Sequence, residues 1–205
     1  IEAMCTVAKQ GTNTTLRRSK IVKSKVITVS DQTTTQGKYI SLNEADVFRL
    51  ISVKMCNKAS GDTPFDSDVY SDITDRYTLL DGQTDTVYGI SKLMLKNGYN
   101  PPSNPIRIEF EYFEHTSGDY FTVDSYPSDI GYKDIPSFNG ISLRDCIDFR
   151  PRVGVNGLVG GKTLKRGTEF YAGCNYYIGR RDKICLSYKG DFVCVNGISS
   201  MAPQY

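Results

Sequence analysis

His115 is the single histidine of the chain. One imidazole rules out a two-histidine metal site within one chain, and any relay that needs a second imidazole. It sits in Phe113-Glu114-His115-Thr116-Ser117-Gly118-Asp119, which reads as a polar turn between two strand-like runs. Ser117 and Asp119 supply the remaining residue types of a nucleophile–His–Asp triad, but neighbours this close on one turn rarely converge on a common atom. The preferred reading is therefore a histidine exposed on a surface turn. Glu109 and Glu111 are the carboxylates nearest to a glycosidase pair, which must flank a cleft. They alternate with Ile108 and Phe110, so the simpler reading places them on the wet face of a strand.

Three further patterns have the residue types of a site without its spacing. Gly160-Gly161-Lys162-Thr163 matches the end of a phosphate-binding loop, but Asn156 stands where the first glycine is required and no apolar helix follows. Asp62, Asp66, Asp68 and Asp72 could approach a calcium ion, yet they lack the ligand order and central glycine of an EF-hand. The basic run Arg17, Arg18, Lys20, Lys23 and Lys25 could hold a phosphate-rich partner. Because it alternates with Ile21, Val22 and Val26, the preferred reading is the outer face of a strand.

The six cysteines, Cys5, Cys56, Cys146, Cys174, Cys185 and Cys194, include no C-x-x-C spacing and no Cys/His cluster. A two-residue turn at Lys189-Gly190 would pair Tyr188 with Asp191 and bring Cys185 opposite Cys194 as a non-hydrogen-bonded pair, close enough for a disulfide. Whether the two are bonded stays open at this level. With no recognisable secretion signal, reduced thiols are the expectation. No cofactor is expected.

The whole chain has 205 residues, 39% apolar and 23% charged, with 25 Lys plus Arg against 23 Asp plus Glu. With its 18 glycines added, the apolar fraction approaches the ~45–50% of globular domains, and the length allows a sizeable core without cross-links. A net charge of +2 is too small for the basic field that non-specific nucleic-acid binding needs, and no apolar run is long enough to cross a bilayer as a helix. Neither nucleic acid nor a membrane is expected as a partner. The first residue is Ile, not Met, which leads to the expectation of one module within a longer polypeptide.

Strand-like alternation recurs along the chain and no convincing 3.6-residue apolar stripe appears. Val47 to Met55, Tyr77 to Leu80, Val87 to Ile90, Leu93 to Leu95 and Ile106 to Phe113 read as strands. Ile106, Ile108, Phe110 and Tyr112 share one face of the last. Tyr120 to Tyr126 and Ile141 to Phe149 read as further strands, and Val153 to Lys165 as a long glycine-rich connection. The expected fold is all-β, a β-sandwich or two packed small antiparallel sheets with long loops and little helix. Residues 1–45 form an N-terminal β or extended segment, read as the end of a preceding module, and residues 46–205 the main β-rich domain.

Five ordered stretches carry a resemblance: 72–85 (DITDRYTLLDGQTD), 118–126 (GDYFTVDSY), 132–136 (YKDIP), 143–152 (LRDCIDFRPR) and 176–184 (YYIGRRDKI). Together they resemble a domain of uncharacterised function in large virion structural proteins of contractile-tailed bacteriophages. The resemblance spans about residues 46 to 200. It implies a non-enzymatic structural component of the tail, in the baseplate or at the fibre attachment, with other virion proteins and further copies of the chain, as a trimer, for partners. It implies assembly in the host cytoplasm and residence in the virion tail. The alternative is a receptor- or glycan-binding module of a tail fibre, with a host-surface glycan as partner. No catalytic residue carries over. The interaction candidates are Arg144, Asp145, Asp148 and Arg150, whose opposite charges could lock neighbouring strands or subunits, together with Arg180, Arg181 and Asp182.

Overall fold

The computed structural model describes residues 6–8, 16–30, 37–57, 70–159, 167, 169–175 and 178–204. The Gly160–Thr163 motif, Asp62, Asp66, Asp68, Cys5, Tyr176 and Tyr177 lie outside them. The chain divides into two compact units, Ile1–Cys174 and Asn175–Tyr205.

The first unit contains β1 (Thr6–Ala8), β2 (Lys20–Val29), β3 (Tyr39–Ala45), β4 (Val47–Cys56), β5 (Tyr70–Asp72), β6 (Tyr77–Leu80), β7 (Ile90–Leu95) and β8 (Ile106–His115). The short strands β9 (Ser137–Phe138), β10 (Ile141–Ser142), β11 (Arg152–Gly154), β12 (Gly157–Val159) and β13 (Glu169–Tyr171) follow, and β14 (Lys183–Leu186) and β15 (Phe192–Val195) belong to the second unit. The fold is all-β. A four-stranded antiparallel sheet of order β2-β8-β4-β5 and a three-stranded one of order β3-β7-β6 pack together. Ile106, Ile108 and Phe110 of β8 meet Ile40 and Leu42 of β3, Leu93 of β7 and Tyr77 of β6 in one cluster, all buried.

β8 is the spine of the larger sheet. It pairs with β2 in unbroken register from Lys20 opposite His115 to Val29 opposite Ile106. Its pairing with β4 slips twice, between Val47 and Arg49 and between Leu50 and Ser52, and such bulges re-aim a strand and raise its twist. The expected face of β8 is found, with Tyr112 half-buried beside the core. The opposite face is not wet along its whole length. Phe113 on that face is buried, stacked on Phe48 at 4.2 Å and edge-on to Tyr126 at 5.4 Å. The sheet therefore buries one face at the Ile106 end and the other at the His115 end.

The segment covering that second face departs from the strands expected for it. Tyr120 to Tyr126 contributes isolated bridges and then a 3₁₀ turn, Val123–Ser125. The Ser125 hydroxyl oxygen accepts from the Thr122 amide at 2.9 Å, and such local side-chain bonding competes with a ladder. Ile141 to Phe149 is the two-residue β10, a 3₁₀ turn at Leu143–Asp145 and a bridge from Asp148 to Phe121. The turn brings Leu143 into a small core with Val123 and Ile135. Arg152 to Val159 is an ordered hairpin of β11 and β12, not a loose connection.

The terminal hairpin also corrects the expected register. Cys185 lies opposite Val193, and Cys194 opposite Ile184. The Gly190 amide donates to the Ser187 carbonyl at 3.0 Å and the Ser187 amide to Asp191 at 2.8 Å, with Gly190 at φ 89°. This is a three-residue loop closed by a glycine bulge rather than a two-residue turn. One residue of slip puts the two cysteines on opposite faces of the ribbon, so they do not face each other. It also spares Lys189 the positive φ that the shorter turn would have asked of it.

Gly82 has φ 71°, and a Cβ there would overlap the Ile90 carbonyl oxygen. Gly82→Ala should lower unfolding free energy by more than about 1 kcal/mol. Gly173→Ala, with nothing within 4 Å of its Cβ, should stay within about 0.5 kcal/mol of the parent in the same denaturant titration.

Candidate functional site

β3 and β4 belong to different sheets, and a single residue, Asp46, joins them. It takes φ 58°, a left-handed conformation that Asp tolerates better than most residues, and its carbonyl accepts from the Phe113 amide at 3.0 Å. This corner aims the carboxylate at the end of the larger sheet where β2 begins and β8 ends. Lys20 and His115 are directly paired there, so their side chains share a face.

All three side chains are sealed in, at most 1% exposed. Lys20 Nζ and His115 Nε2 both lie 2.7 Å from Asp46 Oδ2. Lys20 Nζ also donates to the Tyr88 hydroxyl at 3.1 Å, and that hydroxyl donates to Asp148 Oδ2. Asp148 is clamped by Arg150, with Nη2 to Oδ2 at 2.8 Å and Nε to Oδ1 at 3.0 Å. Arg18 completes the cluster, donating to the carbonyls of Thr116 at 3.3 Å and Arg150 at 3.1 Å.

Lys20 and His115 stand at the end of the β2–β8 ladder, whereas Tyr88 and Asp148 are positioned through single bridges. The Tyr88 amide donates to Pro151 at 2.8 Å and its carbonyl accepts from Val153 at 2.7 Å, which docks Tyr88 beside β11. Phe121 and Asp148 exchange amide–carbonyl bonds at 2.7 and 2.9 Å.

Three cations stand against two carboxylates, and aromatic faces supply the remaining compensation. Lys20 Nζ lies 4.3 Å from the Tyr88 ring centroid, 4.9 Å from Tyr126, 5.0 Å from Phe121 and 5.3 Å from Phe113. The Arg18 guanidinium sits 4.4 Å over Phe121, and Arg150 sits 4.3 Å over Tyr88. Burial lowers the Lys20 ammonium, against the pull of Asp46. Burial works to raise the Asp46 carboxyl, but Lys20 and His115 outweigh it and hold it below its ordinary value. Asp148 behaves alike, with the hydrogen bonds from Arg150 and Tyr88 prevailing over burial. The His115 imidazole is brought down to about 4 by burial, opposed by its bond to Asp46 and reinforced by Lys20 and Arg18. His115 is therefore neutral near pH 7, with its proton on Nε2 facing Asp46, and Nδ1 has no hydrogen-bond partner among the described residues.

The cluster corrects two expectations. His115 is not on a surface turn; it ends a strand and is buried. Arg18 and Lys20 are not on an outer face: they are 1% and 2% exposed, whereas Ile21 and Val26 are each 43% exposed. Lys23 and Lys25 lie on an accessible face as expected, at 49% and 38% side-chain exposure; Arg18 and Lys20 do not, because Phe121 and Tyr126 of the irregular segment after residue 118 cover the start of β2.

The interaction candidates separate into three places. Asp148 and Arg150 point inward and belong to the cluster. Arg144 and Asp145 turn outward onto Tyr132: Arg144 Nη1 donates to the Tyr132 carbonyl at 3.1 Å, and the Tyr132 hydroxyl donates to Asp145 Oδ1. In the second unit Arg180 holds Asp182 through two bonds, at 2.8 and 2.9 Å. Asp182 Oδ1 also accepts from the Gly197 amide at 2.9 Å, and Arg181 is exposed beside it. Asp148 and Arg150 also reach the wall of a groove of about 560 Å³, lined further by Phe138, Ile141, Leu143 and Phe149.

Sequence reasoning missed Arg18, Lys20, Asp46, Tyr88 and His115 as one cluster, since they are scattered over almost a hundred residues. The available signal was local: an aspartate alone between two strand-like runs, in Glu44-Ala45-Asp46-Val47. Comparisons of the chain with protein-family models, with curated proteins and with solved structures find no match.

Asp46→Ala would strand the Lys20 ammonium in an apolar interior, and should cost roughly 3–5 kcal/mol in a denaturant titration. His115 gives the pH dependence. Unfolded, it titrates near 6.5, and folded near 4, so between these values the unfolded chain binds the extra proton. Stability should then fall by about 3 kcal/mol as pH drops through that window. His115→Gln keeps a donor to Asp46 without titrating, and its stability should change less over the same interval.

Proposed function

We propose that the chain is a non-enzymatic structural module of a bacteriophage tail, in the baseplate or at the fibre attachment, and acts through protein–protein contacts. The ordered motifs between residues 72 and 184 support the placement. The observation that carries the reading is the β14–β15 ribbon. Ile184, Leu186, Phe192 and Cys194 share one of its faces, and Ile184 and Phe192 are 76% and 80% exposed. A contiguous exposed apolar face marks a surface built to be covered by protein, and a lone two-stranded hairpin is marginal without such cover. The buried charge cluster supports the same reading from the other side. Its lysine, histidine and central carboxylate are closed to any external substrate, so their chemistry serves the fold itself. Asp145, with half-buried Arg144 beside it, and the Arg180, Arg181 and Asp182 group are charges at the surface that a partner could meet.

The partners in this reading are other tail proteins and further copies of the chain, joined during assembly in the host cytoplasm. Immunogold labelling of intact virions with antibodies raised against the 205-residue chain tests the placement. Gold confined to the baseplate or fibre attachment is the expected outcome, and gold on capsids, or none on virions, overturns it.

A further inference from the structure

The lysine–aspartate contact at the centre of the buried cluster has the parts needed for a covalent bond. An amine and a carboxyl group condense poorly in water because the amine is protonated, the carboxyl is ionised and the pair is not held together. Here Lys20 Nζ, at the start of β2, is fixed 2.7 Å from Asp46 Oδ2, at the corner between β3 and β4, with both side chains closed to solvent. A rigid backbone holds each partner: Lys20 lies in the β2–β8 ladder and Asp46 in a one-residue corner at φ 58°. Such fixed proximity replaces the entropy cost of an encounter.

We propose that Lys20 and Asp46 join in an intramolecular isopeptide bond, formed by the protein on itself with release of one water. The inference does not rest on the tail assignment; it stands on the cluster alone. The step balances within the residues present. Lys20 passes one ammonium proton to Asp46 Oδ2, which leaves a neutral amine beside a neutral carboxylic acid. The amine lone pair adds to Asp46 Cγ and forms the C–N bond. The nitrogen, now positively charged, gives a second proton to the Tyr88 hydroxyl as Tyr88 passes its own to Asp148. The C–Oδ2 bond then breaks, the second proton returns to the departing oxygen, and water leaves. One hydrogen stays on the new amide nitrogen, and nothing is oxidised or reduced.

Each neighbour has a part in that sequence. The Tyr88 hydroxyl touches both Lys20 Nζ and Asp148 Oδ2, which makes it the conduit between nitrogen and a second carboxylate. His115 Nε2 binds Oδ2, the atom that leaves, and as a hydrogen-bond donor it holds that oxygen in place while the negative charge of the adduct gathers on Oδ1. The rings of Tyr88, Phe113, Phe121 and Tyr126 exclude water, and the burial that lowers the Lys20 ammonium reduces the cost of the first proton transfer. The product amide carries no charge, so condensation removes the costly buried ion pair from the interior. It would also tie the start of β2 to the junction of the two sheets.

Intact mass spectrometry of the purified, denatured 205-residue chain tests the proposal, with peptide mapping after proteolysis. The expected result is a mass one water below that of the sequence, a branched peptide joining Lys20 to Asp46, and no tryptic cleavage after Lys20. Lys20→Met, which has no amine, should show the full sequence mass whether or not it folds. Tyr88→Phe should accumulate the lighter species several-fold more slowly than the parent. A parent chain that is folded by circular dichroism yet keeps its full mass, with Lys20 freely cleaved, overturns the proposal. So does a water loss that maps elsewhere, such as a succinimide at Asp81-Gly82.

Discussion

Three cations buried beside two carboxylates set the terms for the rest of the first unit. Removing Lys20 and Asp46 from water is costly, and their attraction offsets that cost only where further hydrogen bonds and aromatic faces surround the two charges. The surrounding architecture is arranged to that end. The corner at Asp46, the junction of Lys20 with His115, the docking of Tyr88 against Pro151 and Val153, and the Phe121–Asp148 bridge all deliver polar groups to the same place. Their joint effect is to fix five separate stretches of chain, around Lys20, Asp46, Tyr88, His115 and Asp148, to one another. A core of aliphatic side chains would tolerate many relative placements of these stretches. A cluster of buried charges, each needing its own partners, tolerates far fewer, which makes it a device for specificity as much as for stability.

The cluster also explains why the larger sheet changes the face it buries. At the Ile106 end, Ile106, Ile108 and Phe110 pack on the second sheet through ordinary apolar burial. At the His115 end the opposite face carries Lys20 and His115, and the chain after residue 118 folds over it as turns and bridges. Irregular backbone suits that cover, since it brings side chains such as Tyr126, Phe121 and Asp148 down onto the sheet at spacings a regular strand could not supply. The twin slips in β4 accommodate the same change of side along the strand that joins the two regions.

How much of this was legible in the sequence follows from the range of the interactions concerned. The all-β class, β4, β6, β7 and β8 were readable, because period-two alternation is written in adjacent residues. The Cys185–Cys194 register was misread because a turn of two residues and a turn of three with a bulge differ by one position, and Lys189-Gly190 fits both until the glycine bulge is seen. Asp148 and Arg150 were singled out through their proximity in sequence, and the structure places that pair within the cluster. Arg144 and Asp145, equally close in sequence, turn away to Tyr132. Lys20 and His115 were placed on the outside because exposure is the usual fate of a lysine and of a histidine in a polar stretch. Their burial depends on Asp46, Tyr88 and Asp148, and no local pattern announces a partner that far along the chain.

The order of the larger sheet leaves β2 and β5 at its margins, and each is poorly suited to receive another strand. β2 carries Lys23 and Lys25 along its length, with Lys25 tied at 2.6 Å to Glu44, and β5 is only three residues long. Charged and abbreviated margins are how β proteins avoid joining edge to edge with their neighbours. The larger sheet of the first unit is thus a poor template for growth by strand addition. Copies of this domain brought together would be kept from fusing through that sheet, and contacts along it would be left to side chains that can distinguish one neighbour from another.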